Sequence, residues 1–321
     1  MPKKSVLLLS TQDNAPDYVD RNSVLLKIAE AISSDDVSVD KARIEDLDFS
    51  IINGITKVEI IDSERVIKAT EIKDLADYDL VYIKNWKALA DIVSAIALYL
   101  NANEVRILCE ELNHFRFVDK TSESFGLALN GIPYPDTLFC AHTKDLPKLW
   151  QRHATEFPFP VVVKAADGSA GSDNFLVHKE EDLQEIAKER QDVSFMIQNF
   201  IPNDSDNRII MLGYEPALAF RRKRQNDSTH LNNTSQGALA ELVKIDSFSP
   251  EVLADCRKAA QLVRREIAGV DVMFNSETGQ HVILEVNASP QLATGAFLKE
   301  KREIMHQYFN QILNIDANDK K

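Results

Sequence analysis

The chain has 321 residues, 44% hydrophobic and 27% charged, an ordinary globular composition long enough for two or three cored domains. Its net charge of −13 argues against a nucleic-acid or anionic-membrane partner, so an anionic nucleotide would have to be drawn in by local lysines and arginines. No apolar run reaches the ~20 residues that span a bilayer, no secretion signal precedes the first strand, and Cys109, Cys140 and Cys256 are scattered in apolar contexts, which together predict a cytoplasmic protein with reduced core thiols. The histidines show no HExxH or paired metal spacing, which argues against a zinc enzyme.

In chain order, Ser5–Ser10 reads as a short buried strand, and Val24, Leu25, Ile28, Ala29 and Ile32 follow the helical period behind a candidate cap at Asp20. Asn53-Gly54 is a type I′ turn signal within the β-rich stretch Ser50–Ile61. A strand at Asp79–Ile83, a helix at Ala88–Leu100 and a strand at Glu104–Cys109 continue the alternation, which predicts a mostly parallel sheet covered by helices. Lys84-Asn85-Trp86, at a strand end, either faces a cleft or forms a surface loop.

The character changes after Asp119. Lys120–Asn130 reads as a helix closed by Gly131, with Pro133 and Pro135 beyond it. From Thr137 to Ser194 the pattern is strand, helix, strand, glycine-containing loop, strand, helix. From Phe195 to Asn287 strands dominate, with one helix from about Pro250 to Ile267, and Ala296–Leu313 is helical.

Several segments carry candidate chemistry. Lys164 ends a strand and is followed by small residues, where Gly168, Ser169 and Gly171 would let backbone N–H groups approach an anion. The loop fits neither the Walker nor the dinucleotide fingerprint, and a plain hairpin turn is the alternative. Asp206 and Arg208 share a face at the start of a strand, as a phosphate or carboxylate contact or as a structural pair. In Phe220-Arg-Arg-Lys-Arg224, alternation sends Arg222 and Arg224 one way and Arg221 and Lys223 the other, so one pair at most enters a cleft.

The polar loop at Asn232–Gly237 offers amide ligands. Finally, Ala268–Phe274 and Val282–Pro290 read as a hairpin about the turn residues 275–280. A turn centred near Thr278 sets Asp271 opposite Glu285 or within one residue of it, with Glu285 and Asn287 on one face and Val286 on the other. Two carboxylates and an amide carbonyl suit Mg²⁺, the alternative being a solvated strand face with ordinary charges.

In this order the segments resemble the ATP-grasp superfamily, most closely its RimK-like branch of carboxylate–amine ligases. The resemblance rests on Lys120 at a helix start, the strand and loop of Lys164 to Gly171, Gln198 to Ile201, Asp206 with Arg208, and Arg222. It continues through Asn233 to Gly237, Ala-Gly-Val-Asp at 268–271 and Glu-x-Asn-x-Ser-Pro at 285–290. It implies an α/β pre-ATP-grasp domain over residues 1–117, followed by a two-subdomain α+β ATP-grasp fold over 118–315. The latter would comprise a small lid-like part at about 136–195 and a C-terminal part at about 196–315.

By the same resemblance, ATP would be held by Lys120, Lys164, Gly168, Ser169, Gly171, Gln198, Asn199, Ile201 and Asp206. Asp271, Glu285 and Asn287 would carry one or two Mg²⁺ ions, with Mn²⁺ as a substitute, and Arg208, Arg222 and Asn233 would serve the reaction itself. That reaction would join a carboxylate to an amine through an acyl phosphate. A kinase that stops at phosphoryl transfer, or a non-catalytic ATP-binding protein, are the other readings. The expected partners are small-molecule or peptide carboxylates and amines, with neither nucleic acid nor membrane, and a homo-oligomer is allowed. The sequence departs from the family at Asn199, where many relatives carry an acid, in a less glycine-rich loop at 168–175, and at Ala238, where a second glycine is frequent.

Overall fold

The structure is a computed structural model that describes residues 3–11, 21–52, 55–60, 73–84, 86, 89–108, 110–114, 120–140, 142–165, 174–190, 194–224 and 239–314. The first sheet is parallel, with β1 (Lys4–Ser10) between β2 (Val37–Arg43) and β6 (Leu80–Lys84), and β7 (Arg106–Leu108) outside β6. Val6 to Leu9 are wholly buried, as expected of a parallel strand covered on both faces. Helix α1 (Arg21–Ile32) buries Leu25, Ile28, Ala29 and Ile32, and α2 (Ala90–Ala102) buries Val93, Ile96, Ala97 and Leu100, both at helical spacing.

Strands β3 (Leu47–Ile52), β4 (Ile55–Ile60) and β5 (Lys73–Asp74) form a small antiparallel sheet. Ile52 pairs with Ile55 there, so the two residues Asn53 and Gly54, outside the described residues, must connect them. Strand β7 starts later than the composition suggests, because Glu104 takes a left-handed conformation (φ 59°) that turns the chain after α2. At the end of β6, Lys84 and Trp86 are buried rather than placed on a surface loop. Asn85 lies outside the described residues.

Helix α3 (Lys120–Leu129) ends as its composition predicts, with Gly131 at φ +69° and bonds from Gly131 N to Ala128 O and from Ile132 N to Leu127 O. The second sheet is antiparallel. It runs β10 (Asn174–Val177), β9 (Val161–Ala165), β11 (Phe195–Asn199), β8 (Thr137–Cys140), with α4 (Leu146–Arg152) and α5 (Glu180–Glu189) on one face. Val161, Val163, Phe195 and Ile197 join that helix-covered core, so alternation turns Val162, Lys164, Met196 and Gln198 to the other face.

The third sheet runs β14 (Leu239–Val243), β13 (Glu215–Lys223), β12 (Ser205–Leu212), β15 (Ile267–Phe274), β16 (His281–Asn287). Ile209, Met211, Ala219, Ala268, Val270, Val272, Ile283 and Val286 form its lower core with α6 (Pro250–Leu262). This helix starts at the expected Pro250 behind a Ser249 cap but ends at Leu262 rather than near Ile267. The left-handed Arg264 (φ 56°) breaks it and launches β15.

On the upper face, Ile210, Leu212, Phe220 and Ile267 join the core of the first sheet through α7 (Leu298–Ile312). Among the described residues no helix is long and apolar enough to cross a membrane. Phe309 on α7 is fully buried, with its ring centroid 6.4 Å from that of Tyr82 in β6. Truncating it to Ala should cost about 3–5 kcal/mol, read from urea unfolding. A loss under ~1 kcal/mol would contradict the seam described for α7.

Candidate active site

The upper face of the third sheet carries a row of charges where strand alternation would otherwise continue an apolar core. Register sets Asp206 opposite Arg222, and Arg208 opposite Asp271, across neighbouring strands. Arg222 donates to both Asp206 oxygens at 2.6 and 2.7 Å, Arg208 donates to both Asp271 oxygens at 2.7 Å, and Arg222 also pairs with Asp271 at 3.0 Å. Arg208 therefore pairs across to β15 and not with Asp206 on its own strand. All four side chains are buried, whereas Arg221 faces out to Glu241. Gly269 makes the crossing possible, since a Cβ there would sit 3.3 Å from the Arg208 side chain and from Pro290.

The hairpin of β15 and β16 pairs Asp271 with Glu285 directly, but a bulge follows between Asp271 and Val272, where Val272 pairs with Ile283. Leu284 is the extra residue. Without it, strict alternation would place Ile283 on the same side as Glu285; with it, Ile283 enters the lower core while Glu285 and Asn287 face the charge row. Glu285 makes no ion pair among the described residues. The Asn287 amide nitrogen lies 3.4 Å from Asp271 Oδ2 and from the Gly269 carbonyl.

Lys164 enters from the second sheet. Its ammonium donates to Gln198 Oε1 at 2.6 Å, and Gln198 Nε2 donates to the Tyr134 hydroxyl (3.1 Å) and to Thr137 Oγ1 (3.0 Å). The Ser124 hydroxyl lies 2.6 Å from both Tyr134 Oη and the carbonyl of Lys120, so one hydrogen-bonded path joins the lysine strand to the first turn of α3. Desolvation pushes Lys164 down to about 8, with Glu285 and Asp271 opposing the fall and Lys120 adding to it. Those influences put Lys120, Lys164, Asp271 and Glu285 in one electrostatic neighbourhood.

Burial would raise Asp271, but Arg208 and Arg222 outweigh it and hold the carboxyl well below its usual range. Asp206 is raised instead, by burial that exceeds the help of Arg222.

The remaining expected positions divide. Gly168, Ser169, Gly171 and Asn233 lie outside the described residues. Gln198 acts on Lys164 as described. The Asn199 amide is occupied by the Glu156 carbonyl (3.1 Å) and Asp136 (3.4 Å), the Ile201 carbonyl accepts from Asn203 at 2.7 Å, and both Asp206 oxygens are taken by Arg222.

Among the described residues, no three His, Cys, Asp or Glu side chains gather as a metal site. The hard oxygens on offer are those of Glu285 and the Asn287 amide, with Asp271 held by Arg208 and Arg222, a sparse set of the kind Mg²⁺ accepts when phosphates complete its shell. Cys140 and Cys256 are buried thiols with raised pKa values, Cys256 to about 12, first through desolvation, the opposite of the shift that activates a thiolate nucleophile.

Sequence reading does not find Tyr134, Ser124, Glu123, Arg265 or Lys301. Lys301 alone had a signal, because it lies four residues before Met305 and eight before Phe309, on the apolar stripe of α7. It is buried, donates to the Thr294 carbonyl at 2.9 Å, and is lowered to about 8 by desolvation and by Arg208.

Two outcomes follow from this geometry. Arg222→Ala leaves buried carboxylates short of a partner and should destabilise by about 3–5 kcal/mol, whereas exposed Arg221→Ala should stay within about 0.5 kcal/mol. Chemical denaturation of both variants checks the contrast, and equal losses would contradict it. Lys164 should also make anion binding fall as pH rises through about 8, because its folded pKa is depressed and the ammonium is lost there. Calorimetric titration with a nucleoside triphosphate from pH 7 to 9.5 reads the decline, which Lys164→Arg should abolish.

Residues 118–307 match the model of the RimK-like ATP-grasp domain. A protein of Aeromonas salmonicida named as a probable alpha-L-glutamate ligase is 28% identical over 226 residues, which are 69% of this chain and 73% of that protein. Among solved structures, an ATP-grasp ligase of Chryseobacterium gregarium in complex with ADP and a leader and core peptide superposes with a TM-score of 0.64 at 13% identity, covering 98% of both chains. The D-alanine-D-alanine ligase of Coxiella burnetii gives 0.62 at 13% identity over 97% of this chain and 98% of that one. At those identities the structures speak for the fold, an ATP-grasp ligase fold along almost the whole chain. The domain match spans more than half of the sequence, and the chain belongs to the RimK-like ATP-grasp family of ligases.

Proposed function

We propose that this protein uses ATP and Mg²⁺ to join a carboxylate to an amine, forming an amide through an acyl phosphate. The observation that carries the reading is that Glu285, next but one to Asn287 on β16, and Asp271 act electrostatically on Lys164 of the second sheet together with Lys120, so acids and lysines from two sheets share one neighbourhood. Anionic phosphates would be held between the lysines and the metal. Lys164 and Lys120 would neutralise them, a role for which half-buried Lys164 is already partly desolvated.

Glu285 and Asn287 would hold the metal, which when bound supplies charge neutralisation along the phosphates. Asp271 would join them to the extent that Arg208 and Arg222 release it. Those two guanidiniums would stabilise an acid substrate's carboxylate and its phosphorylated product. Among the described residues the site contains no side-chain nucleophile or base triad. Phosphoryl transfer needs neither, since positioning and charge neutralisation do the work, and water must be kept from the acyl phosphate.

For substrates, the relatives offer two classes, amino acids and peptides. The relative is named as a probable alpha-L-glutamate ligase, and the neighbours include a ligase in complex with ADP and a leader and core peptide. Either class presents the carboxylate and the amine that the chemistry requires.

The test is phosphate release from ATP in the presence of a panel of amino acids and peptides, with mass spectrometry of the product. Substrate-dependent release with an amide product is expected, and Glu285→Gln should lower it by on the order of 100-fold or more. A stable phosphorylated product would point to a kinase instead. Undiminished turnover in Glu285→Gln would remove the metal assignment.

A further inference from the structure

Strand β16 is the edge of the third sheet, so every second residue turns its backbone N–H and C=O away from β15. Val286, between Glu285 and Asn287, is one of these. Its two backbone groups are not left to solvent. The N–H donates to Glu123 Oε1 at 2.6 Å, while its carbonyl accepts from Arg265 Nη1. The same Arg265 nitrogen donates to Glu123 Oε2 at 2.6 Å, and Arg265 Nε reaches Glu111 at 3.0 Å. Glu111, Glu123 and Arg265 are all buried.

We propose that the Glu123–Arg265 pair is a positioning clamp which replaces the missing neighbour strand at Val286 and thereby sets where Glu285 and Asn287 meet the metal. The inference rests on the metal assignment of the proposed function. Fixing both backbone groups of one residue fixes the height and rotation of the strand there, so the flanking side chains are aimed together. The need is local, because the bulge at Leu284 removes the regular pairing just before Glu285.

Glu123 also lies one turn beyond Lys120 on α3, and its neighbour Ser124 contacts the Lys120 carbonyl and the Tyr134 path to Lys164. One helix turn therefore locates the metal strand through Glu123 and the phosphate lysines through Ser124. Glu111 comes from the segment after β7 and meets the same arginine without touching Val286. It is an internal control, since removing it breaks an ion pair to Arg265 and leaves the clamp on the strand.

The experiment uses the full chain and follows Mn²⁺ binding by electron paramagnetic resonance with a non-hydrolysable ATP analogue present, beside the Mg²⁺ dependence of turnover. Glu123→Gln should weaken Mn²⁺ binding and raise the half-saturating Mg²⁺ by ~10–100-fold, the usual range for a group that orients a metal ligand, with kcat recovered at saturating Mg²⁺. Glu123→Asp keeps the charge against Arg265, and so protects the fold, but withdraws from the Val286 N–H, and it should shift the metal midpoints in the same direction.

Glu111→Gln should lower the melting temperature without moving either midpoint. Equal metal shifts in Glu111→Gln and the Glu123 variants, or none in the Glu123 variants, would overturn the clamp while leaving the site in place. Absence of Mn²⁺ binding in the wild-type chain, or unchanged binding in Glu285→Gln, would overturn the metal site itself and the clamp with it.

Discussion

The row of paired charges on the upper face of the third sheet is the constraint around which the molecule is arranged. Asp206, Arg208, Arg222 and Asp271 are withdrawn from water, each bonded across a strand boundary. Such clusters gain little or nothing in stability over an apolar core, since the cost of desolvation offsets most of their attraction, yet they are strongly destabilised when one member is lost. A sheet that carries one must therefore keep its strands in register. Here the central strands β12, β13 and β15 are tied at the positions where their alternation switches from apolar to charged. Gly269 supplies the room for Arg208 to cross to β15.

The cluster also explains how buried charges can sit beside a continuous hydrophobic core. Toward Leu212 and Ile267 the same face becomes apolar and merges with the core under α7. Toward Asp206 it becomes ionic. The two regimes share strands, so movement of the sheet would be felt in both. In this state Asp271 serves its two arginines, and Glu285 is the acid of the neighbourhood with no ion pair among the described residues. An incoming cation would thus meet Glu285 first, and an incoming acid would compete with Asp271 for guanidinium groups.

Around this sheet, the helix beginning at Lys120 joins parts that are far apart in sequence. Its first turn contacts Val286 through Glu123 and the Tyr134–Gln198–Lys164 path through Ser124. Arg265 ties Glu123 and the Val286 carbonyl to Glu111, which follows the first sheet. Glu111, Glu123, Ser124, Tyr134 and Arg265 have no side-chain function that their own surroundings in sequence announce. They are ordinary polar residues whose importance comes from where the fold leaves a backbone group or a hydroxyl without a partner.

Much of the fold was legible in the sequence because its signals are local. Apolar periodicity located α1 and α2, the Gly131 stop closed α3, and the turn residues 275–280 placed Asp271 opposite Glu285. Alternation separated Arg222 from Arg221, since side-chain direction along a strand depends on the strand alone. What the tertiary structure decided is of another kind. That Asp206 pairs with Arg222 and Arg208 with Asp271 follows from which strands become neighbours, a choice made by long-range packing. The bulge at Leu284, the end of α6 at Leu262 and the burial of Lys84, Arg265 and Lys301 are likewise set by contacts with distant elements. Local backbone and side-chain preferences are properties of a short segment, whereas the partner of a buried charge is a property of the whole fold, because only the closed structure removes the water that would otherwise take its place.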